Sequence, residues 1–234
     1  MQQVPQYLLI GSGKVARHFC YYFSLLNLPY KTWTRRNNSL KELPELIKDS
    51  TNILILLRDD VITSFVFSNK MLWKNKYVIH FSGSLIIADC FSAHPLASFT
   101  DNLYDLAIYK NIPFILGEDA PDFNKLLPGL PNKSFRIPNK LRPLYHALCV
   151  LSGNFTVLLW QKFFIELEEK FNLPKEIAMP YLQNITNNLQ DFPESALSGP
   201  LARNDKKTIA ANLQALEGDP YQEIYKAFVG IKSC

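Results

Sequence analysis

The four cysteines, Cys20, Cys90, Cys149 and Cys234, stand far apart and form no C-x-x-C pair. That spacing excludes a zinc ribbon or a disulfide framework; it reads as reduced intracellular thiols, most of them core filler, and no metal site is expected. Charge of one sign is also scarce: 25 Lys and Arg against 21 Asp and Glu leave a net +4, too little to argue for nucleic acid. Met1-Gln2-Gln3 carries no basic n-region before the first apolar run, so no signal peptide is expected and the cytoplasm is the expected location. What is abundant is apolar: 47% hydrophobic residues over 234 positions exclude a disordered or collagen-like chain and leave room for one large domain or two modest ones. One stretch invites a membrane reading, because no Asp, Glu, Lys or Arg occurs in the 19 residues between Arg142 and Lys162. It holds His146, Ser152, Gly153, Asn154 and Gln161, however, and runs on into Glu166, Glu168, Glu169 and Lys170. A helix buried between subunits or domains explains it better than a membrane span, and no membrane partner is expected.

The first half alternates short apolar runs with helical patterns. Gln6–Ile10, Tyr30–Thr34, Asn52–Leu57 and Tyr77–Phe81 read as strands; Val15–Leu26, Leu40–Lys48 and Val61–Lys70 read as helices between and after them. Further strands are expected at Phe91–Ala93, Pro113–Leu116 and, more weakly, Phe135–Ile137. The unbroken apolar run at Asn52–Leu57 suits a strand covered on both faces, and the alternation predicts a doubly wound α/β sheet with right-handed crossovers. After Pro138 strand signals end: Leu141–Asn172, Pro174–Leu189, Asp205–Leu216 and Pro220–Val229 read as helices. Two domains follow, an α/β domain over 1–138 and a helical one over 139–234.

Gly11-Ser12-Gly13-Lys14-Val15-Ala16 has the G-x-G-x-x-G/A form, directly after the first strand and opening the first helix. Gly11 permits the tight turn, Gly13 lets a pyrophosphate approach the backbone, and Ala16 permits close helix–sheet packing, while the helix N-terminus supplies free N–H groups. The second strand ends in Thr34-Arg35-Arg36-Asn37, without the acid that would bond ribose hydroxyls. Two guanidiniums beside a hydroxyl suit a 2′-phosphate, so NADP is the expected cofactor, with NADPH preferred over NADH. Leu57 and Arg58, at the carboxyl end of the third strand, are expected to flank it, and Asp59 and Asp60 read equally well as a helix N-cap pair.

His80-Phe81-Ser82-Gly83-Ser84 ends the fourth strand and His94-Pro95-Leu96 the fifth. Imidazoles and a hydroxyl at one crevice are candidate proton donors, whereas a serine hydrolase would need G-x-S-x-G, and His80 stands where its first glycine should be. In the helical half, His146 and Asn154 interrupt an apolar helix; eight residues apart, they lie about 12 Å apart along it on neighbouring faces. Each needs a partner, since an unpaired polar group on such a helix is costly. For His146 and Asn154 that partner is substrate, the other domain or an interhelical group, and a histidine at such a crevice also reads as a structural hydrogen-bonder. Ser82, His94, His146 and Asn154 are the candidate catalytic residues. The string Ser198 to Asp205 reads as a turn into a helix capped by Asn204 or Asp205.

The series formed by Gly11–Ala16, His80–Gly83, His94–Leu96, Tyr145–Ala147, Asn154 and Ser198–Asp205 resembles, nearly end to end, a family classed as NADP oxidoreductases. That resemblance implies a Rossmann-like domain followed by a helical domain of unknown function. More distantly the chain is similar to pyrroline-5-carboxylate, ketopantoate and deazaflavin-dependent reductases of the 6-phosphogluconate-dehydrogenase-like group. It implies an NADP(H)-dependent reductase of a small carbonyl or imine, commonly a homodimer through the helical domain, with substrate between the domains. Where the β-hydroxyacid dehydrogenase branch carries a lysine four residues before Asn154, this chain has Val150; relatives carry Gly and His where it has Asn204 and Asn212. The alternatives are a non-catalytic NADP(H)-binding regulatory protein and an interaction protein whose uncharged helix serves dimerisation.

Overall fold

A computed structural model describes residues 6–232. Seven strands form one sheet: β1 (Tyr7–Ile10), β2 (Tyr30–Trp33), β3 (Asn52–Ile55), β4 (Tyr77–His80), β5 (Phe91–Pro95), β6 (Phe114–Gly117) and β7 (Ser134–Ile137), in the order β2-β1-β3-β4-β5-β6-β7. All neighbours are parallel except β5 and β6, which run antiparallel with His94 opposite Ile115. β1 lies in register with both of its neighbours, Tyr7 facing Tyr30 on one side and Asn52 on the other. This is a Rossmann-like α/β sheet, and its strand order reverses between β1 and β3, the place where such sheets open a ligand crevice.

The four-residue strands β1 and β3 are buried throughout. Alternate residues feed two cores, Tyr7, Leu9 and Leu54 on one face and Leu8, Ile10, Ile53 and Ile55 on the other. The first face is covered by α1 (Lys14–Leu25), which buries Ala16, Phe19 and Phe23 at helical spacing together with His18. That histidine is fully satisfied, by the Tyr109 hydroxyl at 2.7 Å and the Thr100 carbonyl at 2.9 Å. The second face is covered by α2 (Leu43–Lys48) and α3 (Asp59–Ser68). Two short helices that the pattern did not foretell, α4 (Leu106–Asn111) and α5 (Phe123–Leu126), flank β6 along the chain.

The residues cluster into two compact units, 1–157 and 158–234. Strands end at Ile137, and the expected long helix begins as α6 (Arg142–Cys149) and continues as α7 (Phe155–Glu169). Between them Val150–Asn154 winds as π-helix, so the 100° per residue spacing read for His146 and Asn154 does not apply there. The helical run 139–169 is, by length and composition only, long and apolar enough to cross a membrane.

In the second unit, α8 (Met179–Asp191), α9 (Gly199–Arg203), α10 (Lys206–Ala215) and α11 (Tyr221–Lys232) follow. The turn expected before α10 is itself the short helix α9, which ends at Asn204 with φ +52°, a left-handed position that asparagine tolerates in place of glycine. Asp205 is the cap of α10, accepting from the Thr208 N–H at 3.1 Å, and Asn212 donates to the Tyr225 hydroxyl at 3.0 Å. Lys162 joins Glu166 and Asp219, each at 2.6 Å. Three described cysteines, Cys20, Cys90 and Cys149, are free; Cys234, like the Met1–Gln3 stretch read for a signal peptide, lies outside the described residues.

Candidate functional site

β1 delivers the chain into Gly11 at φ +140°, whose N–H donates to the Trp33 carbonyl at 3.1 Å. A Cβ on Gly11 would collide with the Leu56 carbonyl oxygen, so β1 and the end of β3 approach this closely only because position 11 has no side chain. Gly13 is the N-cap of α1, and beyond its own chain neighbours no atom lies within 4 Å of where its Cβ would be. Open space over a helix N-terminus is what an incoming phosphate would fill.

That space belongs to a cleft of about 670 Å³ at the switch point. Its floor is the glycine loop Gly11, Ser12, Gly13, Lys14 and Val15; one wall is Thr34, Arg35 and Arg36, and the other is Leu57 and Arg58. Ser82 closes the far end. The wall after β2 is built by its own hydrogen bonds: the Thr34 N–H donates to Asn38 Oδ1 at 3.1 Å, and Thr34 Oγ1 accepts from the Asn37 N–H at 3.2 Å. Arg35 and Arg36 stand exposed on this turn, and neither has an ion-pair partner among the described residues. Arg58, by contrast, lies along Asp60, with Nε to Oδ1 at 3.1 Å and Nη2 to Oδ2 at 2.6 Å. The expected Asp59–Asp60 cap pair needs correcting: Arg58 occupies the cap position and both acids lie in the first turn of α3, where they favour the helix dipole. Lys14 pairs with Asp101 at 3.2 Å, both well exposed.

Beyond Ser82 a second cluster is packed, all of it within the first unit. The Ser82 hydroxyl donates to Asp59 Oδ2 at 2.7 Å and accepts from the Leu85 N–H at 3.2 Å and the Ser84 N–H at 3.3 Å. Gly83 is wedged between two imidazoles, for a Cβ there would strike the Cδ2 edge of His146 and press on that of His94. The two rings meet edge to face with centroids 5.9 Å apart, and His94 Nδ1 lies 2.8 Å from the Tyr145 hydroxyl. Arg142, fully buried one turn earlier on α6, holds the 82–85 turn by donating to the Ser82 carbonyl at 2.8 Å and the Leu85 carbonyl at 3.3 Å. Of the four candidate catalytic residues, Ser82, His94 and His146 are therefore neighbours; Asn154 is exposed in the π-helical segment, and no bond joins it to them.

Burial sets the charge states here. Desolvation, with His146 and Arg142 adding to it, lowers His94 to about 4. His80, fully buried beneath the cluster with both ring nitrogens unbonded among the described residues, is lowered to about 3 by desolvation and then Arg142, with Asp119 opposing. Burial, with the Cys149 thiol beside it, raises the Tyr145 phenol well above its usual value. Both imidazoles are thus uncharged and the phenol protonated at neutral pH. Two residues were not legible as site members in the sequence, Tyr145 and Arg142. The first stood only as a neighbour of His146, and the second only as the last cation before an uncharged run.

A mostly parallel sheet with a glycine loop at its switch point is a Rossmann-like fold, and comparison with known proteins agrees on that fold. Residues 117–230 match the family described as a domain of unknown function (DUF2520). A Bacteroides fragilis protein assigned as an NADP oxidoreductase is similar over 97% of both chains, with TM-score 0.74 and 19% identity. Plasmodium falciparum pyrroline carboxylate reductase, solved with NADP bound, is similar over 97% of this chain and 96% of its own (TM-score 0.62, 13% identity). The imine reductase of Myxococcus stipitatus, solved with NADP+, is similar over 98% and 93% (TM-score 0.64, 12% identity). No curated protein matches the sequence. The fold expected from the sequence, a Rossmann-like sheet followed by a helical region, is the fold these structures share.

Proposed function

We propose that this chain is an NADP(H)-dependent reductase of a small carbonyl or imine compound. The observation that carries it is the cleft itself: an open helix N-terminus at Gly13, continuous with two unpaired guanidiniums at Arg35 and Arg36, and ending at Ser82 beside the histidine cluster. The residues fit the cofactor. Gly11 to Val15 would hold the pyrophosphate, Thr34, Arg35 and Arg36 the 2′-phosphate, and Leu57 and Arg58 the flank. When bound, NADPH supplies the hydride; the chain's part is to bind, orient and hold a proton donor near the reacting carbon. The neighbours named for NADP, pyrroline carboxylate and imines support this substrate class by analogy of fold.

Calorimetric titration tests the cofactor reading. NADPH should bind at least tenfold more tightly than NADH, and Arg35→Ala should remove about tenfold of the NADPH affinity while leaving NADH unchanged, as expected for one charge-assisted phosphate contact. Equal affinities, or an unaffected Arg35→Ala, would remove the preference. A second reading, an NADP(H)-binding protein without turnover, is favoured by Val150 in place of a lysine and by the exposure of Asn154. A screen of small ketones and cyclic imines with NADPH separates the two.

We also propose that a second copy of the chain covers the helical region. Among the described residues of 158–232 only Leu167 and Ala178 are buried, while Phe155, Leu158, Leu159 and Phe163 on α7 stand exposed. So small a buried core is marginal without oligomerisation. Light scattering at micromolar concentration should give twice the chain mass; a monomer would reject the dimer.

A further inference from the structure

We propose that Tyr145 is the proton donor of this site and that His94 is its positioning residue, holding the phenol oxygen from behind. This deepens the reductase reading and rests on it. Four side chains with a transferable proton gather here: Ser82 next to Gly83, His94 and His146 against it, and Tyr145 on the far side of His94. Ser82 is committed, since its proton lies on Asp59 and its oxygen closes the turn to Ser84 and Leu85. His94 is held uncharged by burial, with Arg142 and His146 beside it, so it carries no acidic proton at neutral pH. His146 rests its edge on Gly83 and His94, and no hydrogen bond among the described residues fixes which of its nitrogens bears the proton. Tyr145 alone combines a proton that stays on at neutral pH with an oxygen fixed by a partner, His94 Nδ1 at 2.8 Å.

The groups facing this pair from every side keep it so. From α6 come Arg142 one turn before, His146 beside it and Cys149 one turn after, whose thiol helps raise the phenol. From the turn after β6 comes Asp119, which acts on Arg142. With His94 in its Nδ1–H tautomer the ring donates to the phenol oxygen and leaves the phenol proton for substrate. Reduction places a hydride on the carbon of a C=O or C=N bond, and the π pair moves to the heteroatom. That atom takes the Tyr145 proton; the O–H bonding pair remains on the phenolate, which the His94 N–H stabilises, and water returns the proton. His94 never ionises, which its burial requires.

Two measurements test this. In the substrate-free protein, ¹⁵N NMR of the His94 ring should show the proton on Nδ1 at pH 7, with that preference relaxed in Tyr145→Phe. A proton on Nε2 alone would mean that the phenol spends its proton on the ring, and would overturn the proposal. With NADPH and a cyclic imine or small ketone, Tyr145→Phe should lower kcat at least 100-fold while KM, NADPH affinity and melting temperature stay near wild type. His94→Gln, whose amide can still donate to the phenol, should keep more of kcat than His94→Leu. The wild-type rate should hold as pH rises through 7; a fall there would assign the proton to a histidine and overturn the proposal. Turnover that survives Tyr145→Phe removes the proposal alone, whereas wild-type protein that binds NADPH and reduces nothing removes the reductase reading and the proposal with it.

Discussion

Gly11→Ala is expected to lower the melting temperature by roughly 10 °C, whereas Gly13→Ala leaves it within a few degrees and instead weakens NADPH binding about tenfold or more. The two glycines share a motif and differ in physics. At Gly11 an alanine must adopt φ +140°, and its Cβ must displace the Leu56 carbonyl oxygen, part of the backbone at the end of β3. Backbone strain and forced displacement together come to about 4 kcal/mol, spent at the junction of the two central strands. At Gly13 the backbone angles, φ −73° and ψ −177°, suit any residue, and open space receives the methyl group. The cost appears only when a phosphate must approach the same helix N-terminus. Thermal unfolding followed by circular dichroism, with NADPH titration of both variants, checks the pair. Equal melting temperatures for Gly11→Ala and wild type would mean that the loop can relax, and that the motif serves binding alone.

That split was only partly legible in the sequence. The motif, its place after β1 and the missing acid after β2 can be read from residue order, because a glycine loop joins elements adjacent in the chain. The sheet was legible for a similar reason: the apolar runs at Leu8–Ile10 and Asn52–Ile55 suit only strands covered on both faces. The reversal of β6 against β5 was not, since the direction of a strand depends on how the chain crosses Leu96–Asp105, which has no periodicity to read. Nor was the pairing of Tyr145 with His94, 51 residues apart, because it is made by the landing of α6 on the 82–85 turn. A usable signal existed there: Arg142, Tyr145, His146 and Cys149 follow the spacing of one helix face, and four polar side chains on one face ask for partners. The π-helical turn at Val150–Asn154 shifted the face on which Asn154 emerges, which a fixed 100° spacing cannot anticipate.

Acid should unfold this protein through its buried histidines before most carboxylates titrate. His80 is fully buried on β4, one strand position before the 81–85 turn, and its folded-state pKa is lowered to about 3 from 6.5 by desolvation and Arg142. The folded chain therefore keeps the ring neutral while the unfolded chain takes up a proton below 6.5. Its contribution to stability is complete above that pH, and is lost progressively as the pH falls toward 3. At about 1.4 kcal/mol per pH unit, His80 alone costs about 3 kcal/mol between pH 6.5 and pH 4. His94, lowered to about 4 and less deeply buried, adds a smaller loss over the same window. His80→Leu isolates the effect: urea unfolding should show the variant at least as stable as wild type at pH 7, because an unbonded buried ring is removed, and more stable by about 3 kcal/mol at pH 4. Parallel pH dependence in the two proteins would place the acid sensitivity elsewhere. The same neutrality that makes β4 acid-labile lets His80 lie beneath Arg142 without repelling it, so Arg142 can stay buried and grip the 82–85 turn on which Ser82 and Gly83 meet the cleft. Protonating His80 would set two cations together in the core, and the first element to loosen would be that turn.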